Sequence, residues 1–103
     1  ALAGQMTVAD LQLICSGTAE DTQNACRFYI LGVVEGATGF GAGTKTAGGP
    51  LCIAPGIDDK TLVVAVKNAM QADLAAYPKD ESLSAAGFVV AAAMTAYPCK
   101  KSN

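Results

Sequence analysis

The stretch CSGTAEDTQNAC, residues 15–26, decides the fold, because it reads as the connection between two helices. The Ser-Gly pair after Cys15 ends a first helix. Glu20 and Asp21 then place negative charge where the N-terminus of a second helix favours it. The two cysteines therefore lie at the adjoining ends of an antiparallel helical hairpin, where a disulfide bond between Cys15 and Cys26 can form.

Helix signals on both sides of this stretch predict four helices, at about residues 8–15, 22–38, 59–77 and 84–97. Thr7 caps the first helix with Asp10 three residues later, and Asp58 caps the third. Helical periodicity assigns one side of each later helix to the core. The assigned positions are Cys26, Tyr29, Ile30, Val33, Gly36 and Ala37, then Leu62, Val66, Ala69, Met70, Asp73, Leu74 and Tyr77, then Phe88, Val89, Ala92 and Ala96.

The composition favours helices packed on small side chains. The chain has 103 residues, which suits one domain, and 51% of them are hydrophobic while only 6% are aromatic. Abundant alanine and few aromatic residues favour closely packed helices over a sheet. We therefore predict an all-α fold: residues 1–103 form a single four-helix small domain of two disulfide-stapled helical hairpins.

The four cysteines form an even set, and the chain contains no histidine. A zinc site of four thiolates lacks the paired, closely spaced cysteines that such sites usually have, so two disulfides are expected. Three pairings are possible. The helix ends favour Cys15 with Cys26, and Cys52 before the third helix with Cys99 after the fourth.

Disulfides place the protein in an oxidising compartment, namely the periplasm, the cell surface or the exterior. Residues 1–3, ALA, have the shape of a signal-peptidase site, which suggests a mature chain whose signal peptide has been removed. The net charge of −2 offers no basic surface for nucleic acid or anionic lipid. The apolar run over residues 85–97 is too short to span a bilayer. We expect neither a nucleic-acid nor a membrane partner.

Most catalytic constellations are missing from the sequence. No histidine can activate a nucleophile, and the cysteines are assigned to disulfides. Glu35, Asp73 and Glu81 could supply a carboxylate pair for hydrolysis. A solvated Glu35 and an Asp73 satisfied at the core edge are the simpler interpretations. We predict no catalytic residue, no metal, no cofactor and no enzymatic activity.

A glycine-rich segment, GATGFGAGTKTAGG over residues 36–49, raises the possibility of a phosphate-binding loop. Such a loop needs Gly-Lys-Ser/Thr between a strand and a helix, but here Lys45 follows Thr44. The segment instead predicts a flexible surface loop over residues 39–50. Just before it, Gly32 and Gly36 form a G-x-x-x-G pair that we expect to pack closely against the fourth helix.

Three motifs in order resemble the Rap/Tai family of type VI secretion immunity proteins: CRFYILGVVEG over residues 26–36, LCIAPGI over residues 51–57 and AYPC over residues 96–99. The resemblance extends from Leu11 to Cys99. Ala54 and Ser84 depart from it, because the family often has proline at both positions. The resemblance implies an all-helical periplasmic protein, often a homodimer, that binds and inhibits a peptidoglycan amidase toxin.

On this interpretation the glycine-rich loop enters a cleft of the amidase and forms hydrogen bonds there through its exposed backbone. Its anchor would be Phe40, because burial of an aromatic side chain offsets the cost of ordering a loop. The predicted partner-binding residues are Glu35, Phe40, Thr44, Lys45 and Thr46.

Other interpretations remain open. Phe40 could instead close the end of the second helix against the core, and the loop could be an idle connection. An alternative function is a small helical envelope protein that binds an apolar ligand, or acts as a chaperone-like module, through the Ala, Val and Met surfaces of the third and fourth helices. A structural or assembly subunit is a third possibility.

Overall fold

A computed structural model describes residues 5–44 and 56–98, with side chains described for residues 5–37 and 56–98. This part of the chain contains four α-helices and no strand. They are α1 (Val8–Cys15), α2 (Glu20–Thr44), α3 (Asp59–Ala76) and α4 (Ala85–Ala96), with a 3₁₀ helix over Pro78–Ser82 between α3 and α4. The prediction of an all-helical fold is confirmed for these residues.

Helices α1 and α3 begin at the predicted caps. Thr7 and Asp10 form a capping box, in which the Thr7 Oγ1 accepts from the Asp10 N–H at 3.2 Å and the Thr7 N–H donates to Asp10 Oδ2 at 3.0 Å. Asp58 caps α3 by accepting from the Thr61 N–H at 3.2 Å. Each cap satisfies an amide at a helix start that has no partner within the helix.

The N-termini of α1 and α4 are joined by a small antiparallel bridge between Thr7 and Ser84. The Val8 N–H donates to the Leu83 carbonyl at 2.8 Å, and the Ala85 N–H donates to the Met6 carbonyl at 2.9 Å. The segment just before each helix thereby accepts a hydrogen bond from the first amide of the other helix, which has no partner within its own helix. The two helices consequently start side by side.

The core lies between the four helices. Its thirteen buried hydrophobic residues among those described are Val8, Leu11, Cys15, Cys26, Ile30, Val34, Leu62, Val63, Val66, Met70, Ala85, Val89 and Ala93. Two positions that periodicity assigned to the core are exposed, namely Tyr77 and Ala96. Tyr77 has left the helical conformation, with φ −134° and ψ 77°. In α4 the buried side is centred on Ala85, Val89 and Ala93, which turns Ala96 towards solvent.

Helix α2 is longer than predicted and ends at Thr44 rather than near residue 38. The predicted loop over residues 39–50 is therefore wrong for residues 39–44, while residues 45–50 lie outside the described part of the chain. Three glycines in this stretch lower the intrinsic helix propensity, which is why the sequence predicted a loop. Intrinsic propensity is a weak guide that helix propagation and tertiary context can override.

The first hairpin carries the predicted disulfide between Cys15 and Cys26, with a Cα–Cα distance of 5.0 Å. Both residues belong to the buried core. The second predicted pair, Cys52 with Cys99, lies outside the described residues. In the ranges 5–44 and 56–98, none of the helices combines the length and the hydropathy required to cross a lipid bilayer.

The expected close packing of Gly32 and Gly36 against α4 is not observed. A Cβ atom added at either glycine would meet no described atom within 4 Å. Gly32 is exposed and Gly36 is only half-buried. Helix α2 instead turns Ile30 and Val34 into the core, because the buried stripe follows Cys26 in steps of four residues.

Candidate partner-binding surface

The outer side of α2 exposes an aromatic residue, Phe28, with 62% of its surface accessible to solvent. The Arg27 guanidinium lies over its ring, 4.9 Å from the centroid. Cys26 and Ile30, two residues before and two residues after Phe28, both point into the core. Residues two positions apart lie on nearly opposite sides of a helix, so Phe28 is exposed. An aromatic ring stacked with arginine is the kind of side-chain pair that is enriched at protein interfaces.

Gly32 and Glu35 continue this side of the helix, since they follow Phe28 by four and seven residues. Both are exposed. We call the surface formed by Arg27, Phe28, Gly32 and Glu35 the Phe28 face. It combines one large apolar group, a bare stretch of backbone at Gly32 and charges of both signs.

The structure places the predicted partner-binding residues differently from the sequence-based expectation. Glu35 lies on the Phe28 face, whereas Phe40 and Thr44 lie in the last part of α2 rather than in a loop. Lys45 and Thr46 lie outside the described residues. At 3.6 residues per turn, the positions of Glu35 and Phe40 differ by about 140° around the helix axis. The role of these five residues in partner binding stays a prediction.

Because residues 39–44 are helical, their backbone is less available to a partner than the backbone of a loop would be. Most N–H groups between Gly39 and Thr44 are committed to hydrogen bonds within the helix, so they are unavailable for the backbone-mediated contact that a loop was expected to make. Phe28 was not among the predicted residues. Its position between two core-facing residues of the predicted helix is the signal that could have identified it.

A shallow groove of about 400 Å³ lies between the first half of α3 and the end of α4. Its lining residues are Lys60, Thr61, Val64, Ala65, Asn68 and Tyr97. Val64, at 50% exposure, supplies the most exposed apolar surface in it. The groove is open to solvent, so it is not the dry, enclosed cavity that an apolar ligand would need.

Of the three acidic residues considered for catalysis, Asp73 lies in the last turn of α3, seven residues before Asp80 of the 3₁₀ helix. A hydrogen bond between the two side chains, together with desolvation and the charge of Asp80, raises the pKa of Asp73 above its usual value. Asp73 Oδ2 is buried and accepts no hydrogen bond from the described residues. The expectation of a fully satisfied Asp73 at the core edge is thus wrong.

Burial on the inner side of α2 raises the pKa of Tyr29 above its usual value. Glu35 lies on the outside of α2 and Glu81 lies in the 3₁₀ helix, and both are exposed. The described residues contain no group of three or more His, Cys, Asp and Glu side chains that could hold a metal ion.

Comparison with known proteins gives one family match. The family model described as Rap1a immunity proteins matches residues 7–99. This span runs from the Thr7 cap of α1 to the residue after Pro98, so it includes all four helices. No curated protein and no solved structure shows significant similarity to the chain.

Proposed function

Because the chain belongs to the Rap1a immunity protein family, we propose that it binds and inhibits a peptidoglycan amidase effector of a type VI secretion system. The family match over residues 7–99 is the observation that carries this proposal. Inhibition would arise from occupation of the toxin surface rather than from any reaction on this chain. The protein would need no cofactor and would act as a binding partner, not as an enzyme.

The proposed location is the periplasm, where the amidase would meet its substrate. The Cys15–Cys26 disulfide supports this location, because such bonds persist in oxidising compartments. The pairing of Cys52 with Cys99 stays a prediction with the same implication. A homodimer also stays a prediction, which light scattering on the purified protein can test.

We assign the contact with the amidase to the Phe28 face. Exposure of Phe28 leaves a large apolar surface in water, and its burial against a partner would be favourable. Gly32 lets another backbone approach α2 closely, because it has no side chain and no described atom occupies the space above it. Arg27 and Glu35 at the edge would orient the partner by charge.

The first experiment tests the function itself. The purified protein is mixed with amidase effectors encoded in the source genome, and complex formation and peptidoglycan cleavage are both measured. We expect a stable complex with one amidase and loss of its cleavage activity at equimolar inhibitor. Binding to none of the amidases would contradict the proposal.

The second experiment tests the surface. Phe28→Ala should weaken binding by at least about 1 kcal/mol, roughly a fivefold loss of affinity, if Phe28 is a central contact. Leu13→Ala is the matched control, because Leu13 is also an exposed apolar residue, at 77% exposure, but lies on α1. Equal affinities of both variants and the wild type would place the contact elsewhere while leaving the immunity function intact.

A further inference from the structure

The Cys15–Cys26 disulfide fixes the direction in which α1 runs along α2. The chain connection by itself ties the end of α1 only to Glu20, where α2 begins. The disulfide ties it also to Cys26, six residues and about 9 Å further along the axis of α2. Two attachment points define an antiparallel hairpin, whereas the connection alone leaves α1 free to swing about the start of α2.

Helix α1 depends on such attachments because it is short. Its eight residues are fewer than an isolated helix needs to be stable in water. Its N-terminal end is held by the bridge to α4, in which the Val8 and Ala85 amides donate hydrogen bonds. Its C-terminal end is held by the disulfide. Loss of the disulfide therefore frees one of the two ends and leaves the burial of Leu11 between them to oppose the opening of α1.

The part of α2 that carries the disulfide also carries the Phe28 face. Cys26 and Ile30 belong to the core, whereas Arg27 and Phe28 lie on the outer side of the helix. Helix α1 packs against α2 and contributes its buried residues to the same core. When α1 swings away, water reaches the inner side of this part of α2 and its helical conformation loses tertiary support. Arg27 and Phe28 are then no longer held in one arrangement.

We propose that the Cys15–Cys26 disulfide is a redox switch that makes the Phe28 face competent to bind its partner. In the oxidised protein α1 is docked and the face is held in place; in the reduced chain α1 is released and the face is lost. This inference rests on the proposed function for the identity of the partner, the amidase. Its consequence is that the chain cannot capture the amidase in a reducing cytoplasm and gains this ability when the disulfide forms.

The reaction that operates the switch is thiol–disulfide exchange. On oxidation the Cys15 and Cys26 thiols lose two protons and two electrons to a disulfide-containing oxidant, which is reduced to two thiols as the new S–S bond forms. A dithiol reductant reverses this step and leaves as its own disulfide. Cys15 is 7% exposed and Cys26 is 2% exposed, so a reductant reaches the bond only when α1 opens. The oxidised state is therefore long-lived once the protein has folded.

The first test measures amidase binding by three forms of the protein. They are the oxidised wild type, the wild type refolded from urea in dithiothreitol, and the double variant Cys15→Ala, Cys26→Ala, each transferred to oxygen-free buffer without reductant before the measurement. We expect the reduced wild type to bind at least roughly tenfold more weakly than the oxidised wild type. The double variant should bind as weakly as the reduced wild type, whether or not it has been treated with dithiothreitol.

The outcomes separate the switch from the proposed function. Equal affinities of the oxidised and reduced wild type would overturn the switch and leave the immunity function intact. A redox dependence that persists in the double variant would also overturn it, because the dependence would then originate at other cysteines. If the oxidised protein binds no amidase, the proposed function fails, and hydrogen exchange on the free protein decides whether the switch exists.

Hydrogen exchange tests the switch without a partner. Reduction should lower the protection of the Leu11 and Phe28 amides by roughly tenfold or more, and that of the Met70 amide in α3 by much less. An equal loss at all three amides would show that reduction unfolds the whole chain. Unchanged protection at Leu11 and Phe28 would show that α1 stays docked without the disulfide. Either result would overturn the proposal.

The rate of reduction tests whether α1 shields the bond. Dithiothreitol should reduce the Cys15–Cys26 disulfide at least about tenfold more slowly in the folded protein than in urea, where α1 is open. Thiol labelling followed by mass spectrometry of the peptides that contain the two cysteines gives both rates. Equal rates would show that α1 is not docked over the bond, and would overturn the switch.

Discussion

At the scale of single residues, two exposed glycines have opposite backbone requirements. Gly32 lies in the interior of α2, where any residue can adopt the helical conformation. Gly56 has φ +82°, in the left-handed region that residues with a Cβ disfavour. An added Cβ meets no described atom within 4 Å at either position. Backbone conformation alone therefore decides what a substitution does to the free protein.

We predict that Gly32→Ala raises the free energy of unfolding by about 1 kcal/mol, because alanine loses less conformational entropy in a helix than glycine does. Gly56→Ala, the matched control, should lower it by roughly 1–2 kcal/mol. Urea unfolding of both variants checks these values. A destabilised Gly32→Ala variant would mean that another part of the chain packs against this side of α2.

The same substitution also tests the Phe28 face. If the amidase approaches the α2 backbone at Gly32, Gly32→Ala should weaken the complex although it stabilises the free protein. These opposite signs distinguish a contact surface from an unused one, because a general loss of stability cannot produce them. Titration calorimetry measures the affinity of the variant for the amidase. An unchanged affinity would show that Gly32 is not part of the contact.

At the scale of secondary-structure elements, the caps control where the helices begin and how two of them meet. Ser84 caps α4 by accepting from the Gly87 N–H at 3.2 Å. The two hydrogen bonds of the Thr7–Ser84 bridge are donated by the neighbouring residues Val8 and Ala85, not by Ser84. Proline at position 84 would therefore leave both bridge hydrogen bonds in place.

We predict that Ser84→Ala destabilises the protein by about 1 kcal/mol through loss of the cap. Ser84→Pro should be more stable than Ser84→Ala by about 0.4–1 kcal/mol, because proline restricts the unfolded chain. The backbone accommodates proline: Ser84 has φ −62°, and Leu83 before it is extended, with φ −70° and ψ 158°. Thermal and urea unfolding rank the three proteins, and a Ser84→Pro variant less stable than Ser84→Ala would contradict this account.

At the scale of the whole molecule, stability depends on a small core built from all four helices. The largest fully buried side chains include Leu11 from α1, Ile30 from α2 and Met70 from α3. A domain of this size has a free energy of unfolding of only about 5–15 kcal/mol. Loss of one large side chain from the core therefore removes a substantial fraction of the total stability.

We predict that Leu11→Ala lowers the free energy of unfolding by about 2–5 kcal/mol, because Leu11 is fully buried and its loss leaves a cavity in the core. Leu13→Ala, two residues further along α1, should change it by less than about 0.5 kcal/mol because Leu13 is exposed. Equilibrium unfolding in urea compares the two variants. Similar effects at both positions would show that α1 is not anchored as described.

Much of the fold could be predicted from local sequence signals. The capping box at Thr7, the cap at Asp58 and the Cys15–Cys26 pair depend on residues close together in the chain, and all three are observed. The bounds of α1 also agree with the prediction. These features follow from local hydrogen bonding and chain geometry, which are specified by residues close together in the sequence.

By itself the sequence determined the helical class, the helix starts, the first disulfide and the family, because each is encoded by residue type and short-range spacing. Only the tertiary structure decided that α2 continues to Thr44, that Phe28 is exposed on the outer side of α2, and that Tyr77 and Ala96 face solvent rather than the core. Those outcomes depend on which side of each helix its neighbours cover and on how the connection between α3 and α4 turns. Helical periodicity alone cannot specify either, because it gives a repeat but not the direction in which the partner helix lies.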